Sequence, residues 1–130
     1  MDNKPPSRGT LLSIIELGGY PNFTPLYAEA GFQVLIARSL RKALVAMKKT
    51  QPKVIVAEFN YQSDFRDRTS NLESLLAAVQ RQPNIKVIVF YESQYLHQFE
   101  RLRSRFSIYA ALPYPVNISV LREHLQMIAD

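Results

Sequence analysis

The chain contains no cysteine. That excludes disulfides and thiolate metal sites. None of its apolar runs reaches the ~18 residues that a membrane span requires. Residues 1–9 are polar and contain proline, with no apolar h-region. A secretory signal is therefore not expected, and a cytoplasmic location is. Ser13, Ser93 and Ser119 lack the glycine-rich elbow of a nucleophilic triad. His97 and His124 fall on separate segments, and neither has a ligand partner one helical turn away. No internal repeat or second domain is visible. Nothing here points to an enzyme.

What is present fits one globular domain. At 130 residues and 47% hydrophobic content, the chain can bury roughly two-thirds of its unfolded surface. The formal charge of +5 allows weak attraction to nucleic acid or acidic proteins. No recognition motif supports a nucleic-acid partner.

Strand and helix patterns alternate along the chain. Strands are expected at 11–17, 32–37, 54–59, 85–91 and 108–112, each a short apolar run. Helices are expected after each one. The first starts at Thr24 as cap with Pro25 at the first helical position, and stops at Gly31. The second is capped by Ser39 and runs to about Lys49, with Leu40, Ala43, Leu44 and Met47 on one face. The third is capped by Asn71 and ends before Pro83. The fourth covers 94–106 and the last 117–128. Residues 1–9 are expected to be a flexible tail on a single domain, 10–130. Five βα units in succession predict a doubly wound parallel sheet with helices on both faces. Among such folds the order 2-1-3-4-5 suits five strands, making this a flavodoxin-like α/β domain.

Glu58 closes the run Val54-Ile55-Val56-Ala57, the pattern of a strand buried on both faces. A carboxylate there points into the crevice at the carboxyl edge of the sheet, where ligands of open α/β folds bind. With strands one and three adjacent, Glu16 and Glu58 end side by side. Two carboxylates plus water hold Mg²⁺ weakly. The competing expectation is that they pair with Arg38, Arg66 or Arg68, or accept a hydrogen bond from Tyr91. The metal reading is the weaker one, and no cofactor is expected. Residues 60–70, with Tyr61, Asp64, Phe65, Arg66, Asp67 and Arg68, form a long polar loop beside this crevice, as mobile surface or ligand lid. Gly18-Gly19-Tyr20 is a tight turn whose N–H groups are also candidate anion donors.

The stretch Pro52-Lys53-Val54-Ile55-Val56-Ala57-Glu58 resembles the third strand of the response-regulator receiver (CheY-like) domain. Gly31-Phe32-Gln33-Val34 with Ala37 and Ala43-Leu44 is similar to that family's second strand and helix. Tyr114-Pro115 with Leu121 is similar to the loop after its fifth strand. The resemblance spans Leu11 to Ala129. It implies a phosphorelay domain whose chemistry has been replaced. The phosphoacceptor position is Glu58 instead of Asp. The acidic pair that holds Mg²⁺ reads Glu16 and Leu17. The hydroxyl position is read at Tyr91, and the lysine before the proline is Tyr114, followed by Pro115. Phosphoryl transfer depends on charge neutralisation by metal and cation, so phosphorylation of the usual kind is not expected.

The resemblance further implies a signalling module that binds a protein partner or itself. Its usual contact face, formed by the fourth helix, fifth strand and fifth helix, would include Arg101, Arg105, Tyr109, Ala111, Arg122 and Glu123. Arg103 and Glu100 add to the mixed charge there, which suits a two-fold homodimer. The alternative is a small-ligand or nucleotide binder that uses the strand-end crevice.

Overall fold

A computed structural model describes residues 8–61 and 72–128. Five strands form one parallel sheet: β1 (Thr10–Ile14), β2 (Gln33–Ala37), β3 (Val54–Phe59), β4 (Lys86–Tyr91) and β5 (Ala110–Pro113). Their order is β2-β1-β3-β4-β5. Every pairing is parallel. The five helices are α1 (Thr24–Glu29), α2 (Leu40–Thr50), α3 (Leu72–Val79), α4 (Leu96–Arg103) and α5 (Ile118–Ile128). The expected architecture and strand order are those observed.

The period-two alternation of the central strands sorts their side chains into two layers. Ile55, Ala57 and Phe59 pack with Ala43 and Met47 of α2, Leu75 and Leu76 of α3, and Phe99 and Leu102 of α4. Val54 and Val56 pack with Leu26 and Tyr27 of α1 and Leu121 and Leu125 of α5. Glu58 is two residues beyond Val56, so its side chain faces the α1–α5 layer. The same parity places Phe90 on that layer and Val87 and Val89 on the other. All six residues of β3 are buried, as a strand covered on both faces demands.

Element ends differ from the sequence reading where local capping decides them. Thr24 is the first residue of α1 and does not cap it. The side chain of Asn22, two residues earlier, accepts the Thr24 N–H at 3.0 Å. Ser39 does cap α2, accepting the Lys42 N–H. The expected fourth helix is divided into a single 3₁₀ turn, Ser93–Tyr95, and α4. Arg8 and Gly9, assigned to the tail, hydrogen-bond to Gly31 and Gln33 beside β2. The rest of that tail, 1–7, lies outside the described residues, as do Asn71 and the 62–70 part of the polar loop.

Candidate functional site

Glu58 is 2% exposed and the only charged residue so buried among the described residues. An isolated buried carboxylate is costly, so its oxygens must find donors. It has four. Oε1 accepts the Leu17 N–H at 3.0 Å and the Asn60 Nδ2 amide at 3.1 Å. Oε2 accepts the Gly18 N–H at 3.2 Å and the Tyr20 hydroxyl at 2.7 Å. Three of these donors come from the loop after β1. The path of that loop requires glycine: Gly18 and Gly19 adopt φ of 67° and 84°, a region that glycine enters at little cost. The left-handed turn brings successive N–H groups onto the carboxylate, as nests of backbone amides do for anions.

Aromatic rings close over this lock. Tyr20 stacks with Phe23 (centroids 6.0 Å apart) and with Tyr114 (5.7 Å), with Phe90 edge-on at 5.4 Å. Phe90 is Glu58's partner across the β3–β4 ladder. Burial, followed by donation to Glu58, raises the pKa of the Tyr20 phenol above its ordinary value. Tyr114 shifts the same way, from burial first and then the Glu58 and Glu92 charges. Both phenols remain protonated and able to donate. The Tyr114–Pro115 bond is cis.

The other expected site residues divide: Leu17 and Tyr114 belong to this lock, and Tyr91 does not. Tyr91 is one residue past Phe90, and a one-residue offset turns a side chain to the opposite face. It stacks on Phe99 of α4 at 4.7 Å, on the far side of the sheet from Glu58. The hydroxyl that Glu58 accepts is therefore that of Tyr20, not Tyr91. Leu17 gives Glu58 its amide and projects its side chain into solvent, 77% exposed. Glu16 is half-buried; burial first, and the Glu58 charge second, raise its pKa. It lines a cavity of about 440 Å³ with Arg38 and Ser13. On the other side of the loop, a cavity of about 490 Å³ is bounded by Asn60, Glu92, Tyr114 and Pro115. Arg66 and Arg68 lie outside the described residues.

This donor set does not fit a magnesium ion. A carboxylate offers about four lone-pair positions, and four donors already face those of Glu58. Mg²⁺ seeks near-octahedral oxygen ligands and usually a phosphate besides, whereas the groups converging here are N–H and O–H donors. Among the described residues, no three acidic, histidine or cysteine side chains form a metal cluster.

The expected contact face is also resolved. Arg101 and Glu123 are exposed, and Ala111 is half-buried. Tyr109 meets His124 edge-on at 5.7 Å. Arg105 and Arg122 are drawn to opposite flanks. Arg105 pairs with Glu73 of α3 at 3.1 Å, and Arg122 with Glu29 of α1 at 3.3 Å. Leu96, Val120 and Met127 are exposed apolar side chains of α4 and α5.

Sequence reasoning identified the carboxylate but not its donors Tyr20 and Asn60. The available signal was chemical: an acid ending a doubly buried strand must be satisfied by neighbouring loops.

In sequence, the chain matches no family model and no curated protein. In structure it is similar to a response regulator receiver domain protein from Clostridium thermocellum, at 16% identity and a TM-score of 0.71, over 92% of this chain and 94% of that one. It is similar to a LuxR-family DNA-binding response regulator from Staphylococcus aureus, at 19% identity and a TM-score of 0.70, over 93% and 99%. It is also similar to the chemotaxis response regulator CheY4 of Vibrio cholerae, at 18% identity and a TM-score of 0.69, over 92% and 98%. No helix among the described residues is long and apolar enough to cross a membrane. The chain has the fold of a response-regulator receiver domain.

Proposed function

We propose that this domain is a degenerate receiver: a non-catalytic signalling module that works by protein–protein contact and is not phosphorylated. One observation carries the reading. The carboxylate at the phosphoacceptor position is saturated by four internal donors. A nucleophilic carboxylate needs a free lone pair and a path to the phosphodonor. Here the path is covered by Tyr20, and the neighbouring Tyr114 offers no cation. A phosphoryl group would add about −1.5 to −2 charge to a site where, among the described residues, neither a metal-holding cluster nor a lysine stands to offset it.

The contact this reading favours is a constitutive homodimer through α4, β5 and α5. Exposed Leu96 of α4 and Val120 and Met127 of α5 supply apolar area on the helices that carry Arg101 and Glu123. Two measurements test the reading. Incubation with acetyl phosphate and Mg²⁺ is expected to leave the protein's mass unchanged; a gain that vanishes in Glu58→Gln overturns it. Sedimentation at micromolar concentration is expected to show a dimer weakened by Arg101→Glu with Arg105→Glu. A strict monomer removes this face from consideration.

A second reading, a small-ligand binder, is favoured by the two cavities flanking residues 17–21, of about 440 and 490 Å³. Ligand pockets commonly span roughly 300–1,000 Å³. Gly18 spends its N–H on Glu58, which weakens the loop as an anion cradle. Native mass spectrometry showing a retained small molecule would favour this second reading.

A further inference from the structure

Between Glu29 and Glu58 the chain has no acidic residue, while Arg38, Arg41, Lys42, Lys48, Lys49 and Lys53 all fall there. This segment forms β2 and α2, at the opposite edge of the sheet from β5. Leu35 pairs with Leu12 across the β1–β2 ladder. Leu12 belongs to the layer that packs on α2, so Leu35 faces α2 as well. A groove of about 700 Å³ opens there, where apolar Leu35, Val45 and Ala46 alternate with cationic Arg41, Lys42 and Lys49. Val45 is 50% exposed and Leu35 36%. Positions 42, 45, 46 and 49 share one helical face. No ion pair engages Arg41, Lys42 or Lys49 among the described residues.

We propose that this groove docks an acidic segment of a partner protein, one that carries bulky apolar residues between its carboxylates. Charge complementarity names the sign of the partner, and it steers encounter as well as register. The apolar lining names its second property, because exposed Leu and Val gain by covering. Edge protection is the competing explanation for cations beside an outer strand. Yet β2 itself, Gln33–Ala37, carries no charge and leaves Leu35 and Ile36 exposed. Its cations stand on the helix, around the groove. A nucleic acid fits less well, since no aromatic ring lines the groove to stack a base. A second copy fits less well too. The chain's net charge is +5, and two of its described acids, Glu29 and Glu73, are already paired.

The probe is a short synthetic peptide of alternating glutamate and leucine, titrated into ¹⁵N-labelled protein. Amide shifts are expected to concentrate in β2 and α2. Arg41→Glu with Lys49→Glu is expected to weaken binding about tenfold or more, and Val45→Ser several-fold with the charge kept. Shifts spread over Arg101, Arg103 and Arg105 overturn the proposal, as does absence of binding. Indifference to Val45→Ser overturns it by showing that charge alone acts. Preferential binding of a single-stranded oligonucleotide at the same residues overturns it in favour of nucleic acid. The dimer expected through α4, β5 and α5 is read separately by sedimentation, which the β2–α2 substitutions leave unchanged.

Discussion

Three glutamates of this fold meet donors in two different settings. Glu58 is buried at the end of β3 and accepts four hydrogen bonds. Glu73 and Glu29 lie on the helical surface, each with one arginine partner. Coulomb's law is the same in both places; the solvent is not. At the surface, water and salt screen the pair, and ordering two long side chains offsets most of what remains. Inside, two donors are backbone amides and a third is held by ring packing, and removing a partner exposes the full cost of an unsatisfied group. The strand end is consequently a structural lock, while the helical surface is free to exchange partners.

The strongest way to break this contrast is to remove the lock. Glu58→Ala leaves two backbone N–H groups, a phenol and an amide without their acceptor, and leaves a void behind β3. A loss of about 3–5 kcal/mol is expected, the range for breaking a buried charged network. Urea denaturation measures it. A loss under about 1 kcal/mol would put Glu58 in the same class as the surface acids. Glu58→Gln keeps the volume and one acceptor oxygen, so its cost is expected to fall between that of Ala and wild type.

Tyr20→Phe takes away one donor and keeps the rings. The aromatic contacts with Phe23, Phe90 and Tyr114 survive, and only the 2.7 Å hydroxyl bond is lost. Hydrogen bonds to charged groups contribute about 1.5–3 kcal/mol. A loss in that range is expected by the same denaturation. A neutral result would show that packing, not the hydroxyl, holds the loop over Glu58.

What the sequence disclosed follows the same division. Val54–Phe59 was legible to the residue, because a strand covered on both faces is apolar nearly throughout, here in all but Glu58, and is bounded by polar residues. Strand order followed from repeated βα units. The end of β1 was less legible. The run continues to Leu17, interrupted by Glu16, but the chain leaves the ladder after Ile14 and gives its Leu17 amide to Glu58. Hydrophobicity does not encode that choice. The position of Glu58 was readable; its donors were not, since Tyr20 is separated from it by 38 residues and a hydrogen bond at that range has no local pattern. Tyr91 shows how narrow the margin is. The ladder sets Phe90 beside Glu58, and a reading one residue off selects a side chain on the other face.

On the helical surface the expected effects shrink. Arg105→Glu exchanges the 3.1 Å pair with Glu73 for a like-charge contact. Arg105 is 58% exposed at its side chain, so a stability change of about 1 kcal/mol or less is expected, smaller still at high salt. A change as large as that of Tyr20→Phe would erase the distinction between surface and lock.

Glu16 lies between the two settings and gives the smallest effect. It is half-buried, and burial first, then the charge of Glu58, raise its pKa from the ordinary value of 4.5. The folded state therefore holds a proton that the unfolded state has released between that value and the raised one. Where the folded state binds more protons, stability falls as pH rises. Ionised Glu16 is thus a small burden that is fully present above the raised pKa and relieved as pH drops through it. Glu16→Gln is expected to stabilise the domain at neutral pH by about 0.5 kcal/mol or less, because solvent screens a group this exposed. The gain is expected to disappear once the pH falls below 4.5, where both states of the wild type are protonated. Thermal denaturation of both proteins across this range measures it. A gain that persists in acid would trace the effect to packing, and a loss at neutral pH would mean that the Glu16 carboxylate is held by a favourable partner such as Arg38, with which it shares the cavity beside the loop.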